Sequence, residues 1–168
     1  VSASEFARVR PARPEDLARV WEMVHALAQY ERLQEIVVGS REALGKHLFG
    51  ARPLLECLVS EAQGALIGYA LFYPTYSSFR TRPMMWLEDL FVEEAHRGSG
   101  AGRALLEAVA RRALERGCFR LDWNVLDWNE PSIRFYEALG AKRADTTWYQ
   151  YGLPESELRA LLDTSRTT

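Results

Sequence analysis

Lysine is almost absent from this chain. Only Lys46 and Lys142 occur, the other basic residues being arginine, and Lys and Arg together number 21 against 23 acidic residues. The resulting formal charge of −2 removes the basic surface that nucleic-acid binding requires. No run of Lys or Arg forms an electrostatic tail. Cysteine is as scarce: Cys57 and Cys118 stand alone, with no CxxC pair and no His/Cys cluster, so no metal site is expected. A free cysteine in an apolar strand setting is ordinarily a small core residue, and two such thiols fit a reducing compartment. Long apolar runs are missing too. No segment approaches the ~20 residues of a membrane span, and the stretch from Val1 to Arg10 lacks the apolar core of a signal peptide. The expectation is a soluble, cytoplasmic protein with neither membrane nor nucleic-acid partners. The 168 residues, 48% apolar and 26% charged, fit one domain over the whole chain with a full core. The tail from Asp163 to Thr168 is expected to fray.

Hydrophobic periodicity gives the order of elements. Phe6 to Arg10 alternates as a first strand. Pro14 and two acids open a helix, in which Leu17, Val20, Trp21, Val24, Leu27 and Ala28 share a face. Ser40 is the N-cap of a second helix reaching about Phe49. The stretches Leu54 to Glu61 and Ala65 to Tyr76 read as an antiparallel pair. Ser77 to Pro83 reads as a polar loop, and Met84 to Val92 as a strand. Gly102 to Arg116 is an amphipathic helix stopped by Gly117. Phe119 to Val125 is a strand, Asn129 to Leu139 a helix capped by Asn129, Ala141 to Tyr151 a strand and Pro154 to Leu162 a last helix. These alternations predict a mixed α/β domain.

Glycine is concentrated where chemistry is expected. Arg97-Gly98-Ser99-Gly100-Ala101-Gly102 lies between a strand end and a helix start. Backbone N–H groups exposed by glycines at a helix N-terminus, with the helix dipole behind them, favour an anion, most often phosphate. Arg97 adds a positive charge suited to phosphate. The spacing is neither G-x-x-x-x-G-K-[ST] nor G-x-G-x-x-G, which disfavours P-loop nucleotidases and dinucleotide-binding folds.

Three blocks together carry a resemblance: Leu87-Glu88-Asp89-Leu90-Phe91-Val92, the Arg97 to Gly102 stretch, and Asn129-Glu130-Pro131-Ser132-Ile133-Arg134-Phe135-Tyr136. The chain resembles the GNAT superfamily of N-acetyltransferases over nearly its whole length. Within it, the set is similar to the spermidine/spermine, or diamine, branch and its thialysine-acetylating relatives. The resemblance implies a mostly antiparallel central sheet of six to seven strands flanked by helices, acetyl-CoA as co-substrate, no metal, and a homodimer. It implies that Leu90, Phe91 and Val92 lie along the pantetheine arm, the Leu90 N–H polarising the thioester carbonyl. Arg97, Gly98, Ser99, Gly100, Ala101, Gly102 and Arg103 would cradle the pyrophosphate. Asn129 and Ser132 would contact the cofactor arm. Tyr136 would be both a cofactor contact and the general acid for the leaving thiolate, and Glu88 the base that relieves the amine of its proton through water. Tyr30, Glu31, Glu88 and Asp89 would line the amine site.

In an extended strand Glu88 and Asp89 point to opposite faces, so they form no dyad unless a bulge re-aims one of them. The segment Tyr76 to Arg82 has serines and two arginines where polyamine-preferring relatives carry acids. This favours a small amino substrate, such as thialysine or lysine, over a long polyamine. Arg80 or Arg82 is then a candidate partner for a substrate carboxylate. Two other readings stand beside it: a protein or peptide N-acetyltransferase, disfavoured because the Ser77 to Pro83 loop looks long enough to cover the site, and a non-catalytic CoA-sensing module.

Overall fold

The structure is a computed structural model and describes residues 7–144 and 150–164. Its contacts group the chain into two compact units, Val1–Leu126 and Asp127–Thr168.

The first unit is a sheet with helices on both faces. It runs β1 (Arg8–Pro11), α1 (Leu17–Glu31), α2 (Arg41–Phe49), β2 (Glu56–Ala62), β3 (Ala65–Ser77), β4 (Arg82–Val92), α3 (Ala101–Glu115) and β5 (Leu121–Asp122). The strands lie in the order β1-β2-β3-β4-β5. All neighbours are antiparallel except β4 and β5, which are parallel. The sequence-based fold class holds, with five strands among the described residues where six to seven were expected.

Local chemistry explains most boundaries. Gln63 and Gly64 both take positive φ, 51° and 80°, the primed turn that joins β2 and β3 with the right twist. The Ser40 hydroxyl accepts the Ala43 N–H at 3.1 Å and starts α2. α3 ends as expected at Gly117, φ 70°: its N–H bonds Leu114 C=O while Cys118 N–H reaches back to Ala113 C=O. Packing then divides by strand alternation. Val59, Tyr69, Leu71 and Phe91 pack with Val20, Met23 and Leu48 of α1 and α2. Ala70, Phe72 and Leu87 alternate with that set and lie on the opposite face, where α3 packs with Leu105 and Val109 fully buried. Both cysteines are buried free thiols. At the sheet edge Arg10 holds Asp16 with two bonds, 2.7 and 3.0 Å, and Glu61 with a third, 3.0 Å, tying β1 to β2 and to the start of α1.

Three expectations need correction. The Ser77 to Pro83 loop is the end of a hairpin: Tyr76 pairs with Pro83 and Ser77 with Arg82, leaving a tight tip closed by Thr81 N–H to Ser78 C=O. It is too short to close over a site, so that argument against peptide substrates lapses. The strand expected from Phe119 to Val125 is only Leu121–Asp122: Phe119 N–H and Arg120 C=O still bond Pro83 and Met85 of β4, but the pairing does not continue past Trp86. A strand that loses its neighbour keeps no ladder. The strand expected from Ala141 to Tyr151 is not found at its flanks, 141–144 and 150–151, and its middle, 145–149, lies outside the described residues.

The second unit contains α4 (Glu130–Ala138) and α5 (Glu155–Thr164). Asn129 caps α4, its side-chain oxygen accepting the Ser132 N–H at 3.4 Å. Gly140, φ 89°, ends it, with Ala141 N–H returning to the Tyr136 carbonyl.

Candidate active site

The decisive local feature is a β-bulge. Leu71 of β3 pairs with Asp89, and the next residue, Phe72, pairs with Leu87. Glu88 therefore has no partner on β3. A bulge of this kind re-aims a side chain, and it turns Glu88 toward the α1–α2 face, where Asp89 already points. The hydrogen bonds bear this out. Tyr73 O–H donates to Glu88 Oε2 at 3.1 Å and Trp86 Nε1–H donates to the same oxygen at 2.9 Å. Tyr73 and Trp86 are a directly paired cross-strand couple. Asp89 accepts from the fully buried Tyr69 hydroxyl at 3.1 Å. The condition that alternation set for a Glu88–Asp89 pair is met.

Electrostatics make the pair unusual. Burial pushes the Asp89 carboxyl up to about 6. Its bond from Tyr69 opposes this rise, and the nearby charges of Glu88 and Glu31 add to it. Burial likewise raises Glu31 above the ordinary carboxylate value. Glu31 is the last residue of α1, followed by Arg32 in the left-handed region. A helix C-terminus is an unfavourable place for a carboxylate. None of Glu31, Glu88 and Asp89 has an ion-pair partner among the described residues, in a chain rich in arginine. Such an arrangement suits a cation arriving from outside. No group of His, Cys, Asp and Glu placed to hold a metal occurs among the described residues.

Beyond Trp86, the edge of β4 facing away from β3 has no strand neighbour among the described residues. The Glu93 N–H bonds Ile67 C=O on β3, and backbone groups alternate in direction along a strand. Phe91 and Asp89 therefore turn their backbone groups to β3, whereas Leu90 and Val92 turn theirs to the open edge. Two contacts agree. A Cβ on Gly68 of β3 would stand 2.6 Å from the Phe91 carbonyl, and the Val92 carbonyl accepts Arg97 Nε–H at 3.1 Å.

The glycine stretch follows. Gly98 and Gly100 take φ of 77° and 90°, and Gly100 is the N-cap of α3. The Ser99 hydroxyl donates to His96 C=O at 2.7 Å, and the N–H groups of Gly100, Gly102 and Arg103 have no hydrogen-bond partner among the described residues. These N–H groups are thus open to an acceptor from outside. The Arg97 guanidinium lies 4.5 Å over the Tyr30 ring, joining the glycine stretch to the end of α1. Arg103 pairs with Glu107 at 2.7 Å. In the second unit Tyr136 lies on α4, edge-on to Phe135 with ring centroids 5.2 Å apart.

Sequence reasoning missed Tyr69, Tyr73 and Trp86. Trp86 stands two residues before Glu88, a signal visible in the sequence. The tyrosines are found only through the β3–β4 register.

Comparisons with known proteins agree with this geometry. The Acetyltransferase (GNAT) family matches residues 20–141. A thialysine N-epsilon-acetyltransferase of Bos taurus is 37% identical over 145 residues, covering 82% of this chain and 85% of its own. An L-ornithine N5-acetyltransferase of Arabidopsis thaliana is 30% identical, covering 82% and 80%. Among solved structures, an integron cassette protein of V. cholerae matches with a TM-score of 0.75 at 22% identity, over 96% of this chain and 99% of that one, a likeness of fold. The chain belongs to the GNAT family and is an N-acetyltransferase.

Proposed function

We propose that the protein transfers the acetyl group of acetyl-CoA to the terminal amine of a small amino substrate of thialysine, lysine or ornithine type, by direct attack. The observation that carries this reading is the bulge at Glu88, which turns two carboxylates to one face near Glu31, with no ion-pair partner for them among the described residues. A primary alkyl amine has a pKa near 10.4, so at neutral pH freeing its lone pair takes about 4–5 kcal/mol. The carboxylates bind the ammonium. Glu88 takes its proton through water, and the neutral nitrogen attacks the thioester carbon. The Leu90 N–H stabilises the oxyanion, the C–S bond breaks, Tyr136 protonates the departing thiolate, and the second proton that the nitrogen releases as the amide forms restores the tyrosine through solvent. The backbone of Leu90 to Val92 supports the pantetheine arm, and Arg97, Gly98 to Gly102 and Arg103 bind the pyrophosphate. Asn129, Ser132 and Tyr136 contact the arm, and Tyr30 and Glu31 complete the acceptor site. The names of the relatives above support the substrate class. A homodimer and a cytoplasmic setting belong to the same reading.

The test is acetyl-CoA consumption over thialysine, lysine, ornithine, putrescine, spermidine and spermine. Turnover highest on the amino acids is expected. A clear preference for spermine, or no amine acetylated at all, would overturn the proposal.

A further inference from the structure

We propose that Trp86 and Tyr73 are positioning residues for Glu88: they clamp one oxygen of its carboxylate and leave the other as the single acceptor for the amine proton. This rests on the reading of Glu88 as base. The geometry is specific. Both donors converge on Oε2, at 2.9 and 3.1 Å, and neither reaches Oε1. They come from the two strands at one paired register position, so the sheet itself fixes their spacing. The bulge stands Glu88 directly above the pair. Indole is a donor only. Tyr73 is held protonated, because burial and the Glu88 charge raise its phenol above the ordinary value. An exposed glutamate would otherwise sample several rotamers. Clamped, it presents one oxygen in one direction, which is what proton transfer through a single water needs.

The other titratable groups on this face are Asp89 of β4, Tyr69 of β3 and Cys57 of β2. Glu31 and Tyr30 close it from α1, with Arg97 over Tyr30. Losing either donor loosens the aim of Glu88.

The test compares Trp86→Phe, Tyr73→Phe and the double variant with wild type, reading kcat, KM for each substrate and thermal stability. A Trp86 analogue with benzothiophene in place of indole keeps the ring and removes only the N–H. The expected result is a kcat reduced at least tenfold, with thermal stability and the KM for acetyl-CoA unchanged. The benzothiophene protein should behave as Trp86→Phe does. A kcat within about twofold of wild type in the donor variants, or a loss of kcat that tracks a loss of thermal stability, overturns the proposal. Glu88→Gln separates the two levels. If it abolishes turnover while the donor variants keep wild-type kcat, the clamp is wrong and the base stands. If it keeps wild-type kcat, the base assignment fails and the clamp with it.

Discussion

Asp89 should destabilise the protein in which it works. Its carboxyl is pushed from the ordinary 3.8 up to about 6 by burial, with neighbouring carboxylates adding to the rise and the Tyr69 bond opposing it. A pKa raised in the folded state means that the native protein binds the proton more tightly than the unfolded chain. Stability is therefore fullest below pH ~4 and is lost as pH rises through about 6. The shift of roughly two units, at 1.36 kcal/mol each, bounds the loss at about 3 kcal/mol. Asp89→Asn keeps an acceptor for the Tyr69 hydroxyl and removes the charge. The variant should be more stable than wild type at pH 8 by up to about 3 kcal/mol. In a chain of this size that is roughly 6–12 °C in Tm, and the advantage should disappear at pH 4. Turnover should fall in the same variant, the exchange of stability for activity that functional sites show. Urea unfolding of both proteins at pH 4 and pH 8, beside a rate assay, measures all of this. An Asp89→Asn protein equally stable or less stable at pH 8, or an advantage that persists at pH 4, refutes the reasoning.

Other outcomes follow from single contacts. Tyr136→Phe should lower kcat by about 10²–10⁴ with little change in the KM for acetyl-CoA; steady-state kinetics with both substrates varied checks it. Gly100→Val places a β-branched residue at φ 90°, a strain of about 1–2 kcal/mol. It should weaken acetyl-CoA binding about tenfold in calorimetry. Asp16 is held ionised below its ordinary value, chiefly by the Arg10 hydrogen bond. Its stabilisation is present above pH ~4 and is lost as pH falls through the depressed value. Removing one partner of this partly buried pair, as in Asp16→Asn, should cost about 1.5–3 kcal/mol at pH 7, with the gap to wild type closing on acidification. Thermal unfolding across that range reads it.

The sequence made visible the parts of this protein that follow from one residue type at one position. A glycine is needed where φ is positive, so Gly100 at the start of α3 and Gly117 at its end were legible. So were Ser40 and Asn129, whose short polar side chains cap the helices they precede. The bulge was not. Leu87 to Val92 alternates like any strand, and nothing in it distinguishes a regular ladder from one in which Leu71 and Phe72 of β3 meet Asp89 and Leu87. Register is a property of two strands, and with it went Tyr69 and Tyr73. The length of β5 was hidden for the same reason, because Phe119 to Val125 has strand composition but its pairing with β4 stops after Asp122. The stacking of Arg97 on Tyr30 was hidden as well, because the two residues lie far apart in sequence and meet only in the folded chain.

Register also bears on acceptor choice. Arg82 lies six residues before Glu88 on β4, about 20 Å at 3.3 Å per residue. A lysine-length side chain separates its amine from its carboxylate by six bonds, the extended length of two residues, about 7 Å. An arginine side chain adds a similar reach, and the sum falls short. Both hairpin arginines are also engaged, Arg80 and Arg82 standing 5.3 and 5.8 Å from the Phe119 ring centroid, with Arg82 bonded to Gly117 C=O at 3.2 Å. The separation and these contacts argue against either as the carboxylate partner of an amino acid whose amine sits at Glu88. Arg80→Ala and Arg82→Ala should therefore leave the KM for thialysine within about twofold of wild type. A tenfold rise in either would mean that the substrate lies along the strand toward the hairpin, and that the amine is not delivered to Glu88.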